Sequence, residues 1–162
     1  MIVINDAYRL APWADVLFAA DHGWWKWHEG VPSFSGLKYA LHAGASEWPG
    51  VTVLRSTGIQ GLELHPSGLR AGYNGGYQAI NLATHLGASR IVLLGYDMQA
   101  PRRGPSHFFG EHPNHARSPY GTFLEIFPSI VAPLQALGIT VFNCSRSTAL
   151  ECFPRVALSE VL

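Results

Sequence analysis

An α/β fold built on a mostly parallel sheet is predicted by three features of one segment. Arg90-Ile-Val-Leu-Leu-Gly95 is a continuous apolar run, the pattern of a strand covered on both faces. The helix expected before it carries Ala79, Leu82, Ala83 and Leu86 at i, i+3, i+4 and i+7, a single apolar stripe. The glycine turn Asn74-Gly75-Gly76 opens that helix, and Gly95-Tyr96-Asp97 closes the strand. In open α/β sheets, ligands sit where such turns gather, at the carboxyl ends of the strands.

The remaining elements follow in order. Met1-Ile-Val-Ile-Asn5 reads as a first strand and Asp15-Val-Leu-Phe-Ala-Ala-Asp21 as a second, ending in a carboxylate. Residues 22–50 read as short helices carrying Trp24, Trp25, Trp27, His28 and His42. Val51-Thr-Val-Leu-Arg55 is a third strand. Gly58, Gly61, Pro66, Gly68 and Gly72 make residues 56–73 a long loop, with a short hairpin at Leu62–Leu64 and Leu69. Residues 99–120 form a polar loop rich in proline and glycine. Phe123, Ile126, Phe127, Ile130, Leu134 and Leu137 outline a second helix, which Pro128 and Pro133 must kink or split. Ile139-Thr-Val-Phe-Asn143 is the last strand, followed by a Ser/Thr turn and a short helix. Strands alternating with helices imply a three-layer, Rossmann-like arrangement in a single domain spanning 1–162.

Composition narrows the function. Of 162 residues, 48% are apolar and 14% charged, with zero formal net charge, which argues against a disordered tail or a broad nucleic-acid face. The basic residues are nine Arg and two Lys, a bias that suits bidentate contacts to phosphate or carboxylate. No apolar run approaches the roughly 18 residues of a membrane span, so a soluble, cytoplasmic protein with Cys144 and Cys152 reduced is expected.

Each candidate site residue has a functional and a plainer reading. The amides of the Asn74-Gly75-Gly76 turn suit an anion at a helix N-terminus, or Asn74 is simply the helix cap. Asn5, Asp6, Asp21 and Asp97 follow strands, where they either meet a base, ribose or sugar hydroxyl or cap the next helix; capping is the expectation for Asp6. His107, His112 and His115 lie in one loop and suit acid–base work near neutrality. Their spacing, broken by Pro113, fits no helical ligand face, so no metal is expected. The tryptophans, Trp13 and Trp48 included, are core material with one exposed member allowed for stacking. Ser145 and Arg146, after the last strand, either reach a phosphate or belong to the cap of the final helix.

These landmarks together resemble a known group. Asn-Asp-Ala-Tyr-Arg-Leu-Ala-Pro-Trp-Ala-Asp at 5–15 and Phe-Ala-Ala-Asp at 18–21 look like the second and third strand segments of a Rossmann-like group. That group joins the CMP-sialic-acid-dependent sialyltransferases, the flagellin-glycosylation accessory proteins and the hydroxymethylpterin diphosphokinases, along with short phage and prophage members. The segment from Gly75 to Asp97 is similar to the sialyltransferase stretch in which a Ser-Gly turn leads through a helix to Gly-Ile-Asp. Asn143-Cys-Ser-x-Ser-x-Ala-Leu150 is similar to that family's closing strand and turn.

The resemblance implies that Asn5 and Asp21 face a cytidine nucleotide and that Gly75 and Gly76 line the donor pocket. Gly95 and Asp97 would meet base and ribose, with Ser145 in the closing turn. His115 is the nearest match to the catalytic histidine, with His107 and His112 as alternatives, and Tyr120 is the candidate for a donor-phosphate tyrosine. Members begin with a strand and Gly-x-Gly-Pro-Ser, whereas this chain opens at the strand that would come second. A fold lacking the usual first βα unit is therefore expected. The implied activity is transfer from a nucleotide sugar, a CMP-sugar foremost, to a glycan or modified-base acceptor without metal. The alternatives are a non-catalytic nucleotide- or sugar-binding module, homo-oligomeric through a Trp-rich surface, and a pterin-type diphosphokinase-like enzyme.

Overall fold

The computed structural model describes residues 1–100 and 118–162. The chain forms two compact units, Met1–Ala88 and Ser89–Leu162, within a mixed α/β structure.

The first unit holds a four-stranded, all-parallel sheet in the order β1-β2-β3-β4. Its strands are β1 (Ile2–Ile4), β2 (Val16–Ala19), β3 (Leu37–Ala40) and β4 (Val51–Val53). Sequential neighbours joined by right-handed crossovers must place every connection on the same face. That face carries a 3₁₀ turn at Asn5–Arg9, helix α1 (His22–Trp27) and a 3₁₀ turn at Ala43–Glu47. There Val3, Leu17, Ala19 and Ala40 pack with Trp24, Trp25, Val31 and Phe34. Alternation along β2 sends Val16 and Phe18 the other way. They meet Leu54, Leu69 and Leu82, the last from helix α2 (Gly75–His85). A helix from later in the chain thus covers the face that the crossovers leave bare.

Three expectations need correction here. Residues 37–40 form a strand, although 22–50 read as short helices. Leu37 is exposed and Lys38 and Tyr39 are half-buried, so no apolar run announces it. Pairing with β2, Phe18 opposite Tyr39, creates it. No hairpin forms at Leu62–Leu64 and Leu69. Instead β5 (Arg55–Ser56) and β6 (Gly68–Leu69) pair in parallel. The loop between them is tied to α2 by Asn81, fully buried, whose Oδ1 accepts from the amides of Glu63 (2.9 Å) and Arg70 (3.2 Å). Those bonds hold the backbone that a hairpin would otherwise satisfy. The buried residues of α2 also lie earlier than the expected stripe, at Tyr77–Leu82, while Leu86 is exposed.

The second unit pairs β7 (Arg90–Leu93) with β8 (Thr140–Asn143) in parallel, Ile91 opposite Val141. Between them run α3 (Tyr120–Ile126), a 3₁₀ segment Phe127–Ile130 and α4 (Val131–Ala136). Pro128 splits the helix as expected. Pro133 sits in the first turn of α4, where a missing N–H costs no intrahelical bond. The final helix is only a 3₁₀ turn at Leu158–Glu160, so Asn143–Ser147 is not its cap.

Candidate functional site

Each unit gathers candidate residues at the carboxyl ends of parallel strands. In the first, Asn5 follows β1 directly with φ 49°, a left-handed conformation that Asn tolerates better than most residues. Asp21 follows β2 and precedes α1, yet its side chain makes no capping bond and is exposed. Asn74 does cap α2: its Oδ1 accepts from the amides of Gly76 at 2.8 Å and Tyr77 at 3.1 Å. Among the described residues the Gly75 amide has no such partner, so an anion at this helix start would meet Gly75 first. A Cβ on Gly75 would lie 3.3 Å from Ile4 Cγ2, which places the start of α2 against the end of β1. Asn5 and the Asn74–Gly76 turn are thereby brought to one corner of the sheet.

Asp6 is not a helix cap. It is 7% exposed, and its Oδ2 accepts from the Trp24 indole N–H at 3.0 Å. Its Oδ1 lies 3.6 Å from Arg9 Nε and 3.6 Å from His28 Nε2. His28 stacks on Trp24 at 4.2 Å, and its Nδ1 lies 3.1 Å from the Tyr8 hydroxyl. Burial holds the His28 imidazole below its ordinary 6.5, with Asp6 opposing that shift and Arg9 adding to it. Below 6.5 the unfolded chain therefore takes up this proton before the folded one, so stability falls as pH drops toward the folded value. Urea midpoints between about pH 7 and about pH 5 should drop further in wild type than in His28→Phe. Equal drops would place that pH dependence on other groups.

Sequence reasoning missed a cluster at the same edge. His22, after β2, and Glu47, after β3, are 25 residues apart in the chain, and His22 Nε2 lies 2.5 Å from Glu47 Oε1. The His42 ring stacks on His22 at 5.5 Å and 13°. His42 Nδ1 accepts from the Gly44 amide at 3.1 Å. Only the parallel pairing of β2 with β3 juxtaposes these groups. The one signal in the chain is polar residues at two strand ends.

In the second unit the ends of β7 and β8 bring Gly95, Asp97 and Ser145 together. Gly95 takes φ 75°, turning the chain sharply after the strand. Ser145, buried, accepts from the Tyr96 amide at 2.7 Å through its hydroxyl. Thr148 Oγ1 donates to Tyr96 O at 2.6 Å, and the Ala149 amide donates to Asp97 O at 2.8 Å. Ser145 therefore positions the loop with its hydroxyl, while Asp97 itself is exposed. Arg146 is also exposed, and its carbonyl accepts from Arg155 Nη2 at 2.5 Å. Tyr120 opens α3. His107, His112 and His115 lie outside the described residues.

Two tryptophans are exposed, Trp13 at 74% and Trp27 at 47%; Trp24 and Trp25 are core. Among the described residues no group of three or more His, Cys, Asp or Glu is placed to hold a metal ion. No helix there is long and apolar enough to cross a membrane. No family model, curated protein or solved structure matches the chain.

Proposed function

We propose that this protein is a nucleotide-sugar-dependent glycosyltransferase on a three-layer, Rossmann-like fold, with a CMP-sugar as donor and a glycan or modified base as acceptor. One observation carries the reading. Asn5, Asp21 and the Asn74–Gly76 turn, far apart in the chain, all fall at the carboxyl edge of one parallel sheet. That edge is where open α/β folds hold nucleotides. Taken by itself, the second unit carries Gly95 and Asp97 at the end of its own parallel pair, on a loop pinned by Ser145. In the reaction the acceptor oxygen attacks the anomeric carbon while the bond to the nucleotide phosphate breaks, its electron pair leaving on the phosphate. The acceptor proton passes to a histidine, a role the family resemblance gives to His115, with His107 and His112 as alternatives.

Thermal-shift screening against CMP, UDP, GDP and their sugars is the test. CMP and CMP-sugars should stabilise the protein by about 2.7 kcal/mol at 100 times the dissociation constant, and Asp21→Ala should weaken that shift. No shift with any nucleotide would remove the donor site. Binding without CMP release from a CMP-sugar, in the presence of saccharide acceptors, would select the non-catalytic binding module instead.

A further inference from the structure

We propose that the stacked His22–His42 pair, with Glu47, is a recognition site for a vicinal diol on the bound ligand. The inference rests on the nucleotide-sugar reading above, and it names a specificity element that this reading does not contain.

Hydrogen-bond bookkeeping gives the two rings opposite characters. An ionised carboxylate only accepts, so the short contact between Glu47 Oε1 and His22 Nε2 places a proton on Nε2. In the neutral imidazole Nδ1 is then a bare acceptor, and no described residue donates to it. His42 is set the other way. Its Nδ1 accepts from the Gly44 backbone amide, so the proton resides on Nε2, which becomes a donor with no acceptor among the described residues. One ring offers an acceptor and the other a donor, and the two rings lie 13° from parallel with centroids 5.5 Å apart. A pair of adjacent hydroxyls complements them: one O–H donates to His22 Nδ1, and the other oxygen accepts from His42 Nε2–H. A phosphate diester, which only accepts, would satisfy His42 and leave the neutral His22 Nδ1 without a donor.

The local backbone is shaped to seat these rings. A Cβ on Gly44 would lie 2.9 Å from His22 Cγ, so the turn after β3 can approach the imidazole this closely only as glycine. Glu47 is half exposed and His22 is 35% exposed, so ring and carboxylate are both open to a ligand. Both histidines follow strands of the parallel sheet at the edge that also carries Asp21.

Two parts of a CMP-sugar carry such a diol, the ribose and the sugar, and titration calorimetry separates them. The ribose arm compares CMP with 2′,3′-dideoxy-CMP. The sugar arm compares CMP-N-acetylneuraminate with its analogue truncated in the exocyclic triol. Wild type should lose about tenfold in affinity in one arm, the size of two hydrogen bonds made or lost. His22→Phe and His42→Phe, which keep an aromatic ring, should bind the intact and the diol-free ligand within about twofold of each other. Long-range ¹H–¹⁵N spectra of the ligand-free protein should show both imidazoles protonated on Nε2. Diol-independent binding in both arms overturns the inference and leaves the nucleotide reading standing, as does an Nδ1-protonated tautomer at either histidine. Failure of wild type to bind any nucleotide overturns both.

Discussion

Alanine in place of Trp25 is expected to cost about 3–5 kcal/mol of stability, the largest single loss the first unit can show. Trp25 is fully buried on the crossover face of the sheet, edge-on to Trp24 at 5.1 Å. Its indole N–H donates to the carbonyl of Ala19 at 2.9 Å, tying α1 back to β2. Truncation removes the apolar burial, leaves a cavity and strips that bond together. The cavity would not close easily. The elements around it are a six-residue helix and 3₁₀ turns, whose positions are set by the strand ends that they join. Domains of this size have about 5–15 kcal/mol in all, so the variant should lose a large share of the stability and unfold at much lower urea than wild type. Urea midpoints with an unchanged slope would measure the loss. A loss below about 1 kcal/mol would mean that this face is not packed around Trp25.

Asn143→Ala should have the second largest effect, about 2–4 kcal/mol, and it should fall on the second unit. Asn143 is fully buried at the end of β8. Its Oδ1 accepts from the Ser145 amide at 3.0 Å, while its Nδ2 donates to Thr148 Oγ1 at 3.2 Å. Nδ2 also lies 3.5 Å from Tyr96 O. Through Ser145 and Thr148 the same side chain governs the loop that presents Asp97. Without it the Ser145 amide is buried and unpaired, which costs more than the bond itself contributed. Hydrogen exchange would localise the change: the amides of Tyr96 and Ser145 should lose protection first. Asn143→Asp, which keeps the Oδ1 acceptor, should preserve the Ser145 contact and lose the others. Unchanged protection at both amides in Asn143→Ala would show that the loop does not hang on this residue.

Much of the first unit was legible because its signals are local. Val16–Ala19 is buried throughout, so its apolar run is visible in any window of the chain. Asn74 before two glycines announces a helix start, and the helix starts there. β3 was not legible. Leu-Lys-Tyr-Ala carries no alternation strong enough to compete with the tryptophan-rich stretch before it, and its strand character is conferred by β2. Asp6 misled for a related reason. A carboxylate after a strand reads as a cap, and only the arrival of Trp24 and His28 from α1 and its end makes it a buried acceptor.

The candidate site divides along the same line. Asn5, Asp21 and Gly75 in the first unit, and Gly95 and Asp97 in the second, were legible as strand-end and helix-start residues, since turns have a composition of their own. The His22–Glu47–His42 cluster was not, because its members become neighbours only across a parallel pair.

By itself, then, the sequence determined the α/β class, the buried strands and the capped glycine start of α2, all of which depend on composition and periodicity within about ten residues. The tertiary structure alone decided which polar groups are spent and which remain available. Ser145 and Asn143 are used on the backbone, Asp6 on an indole, His22 meets Glu47, and His42 accepts from the Gly44 amide. Hydrogen-bond satisfaction is a property of pairs, and those pairs exist only after the strands have found their register.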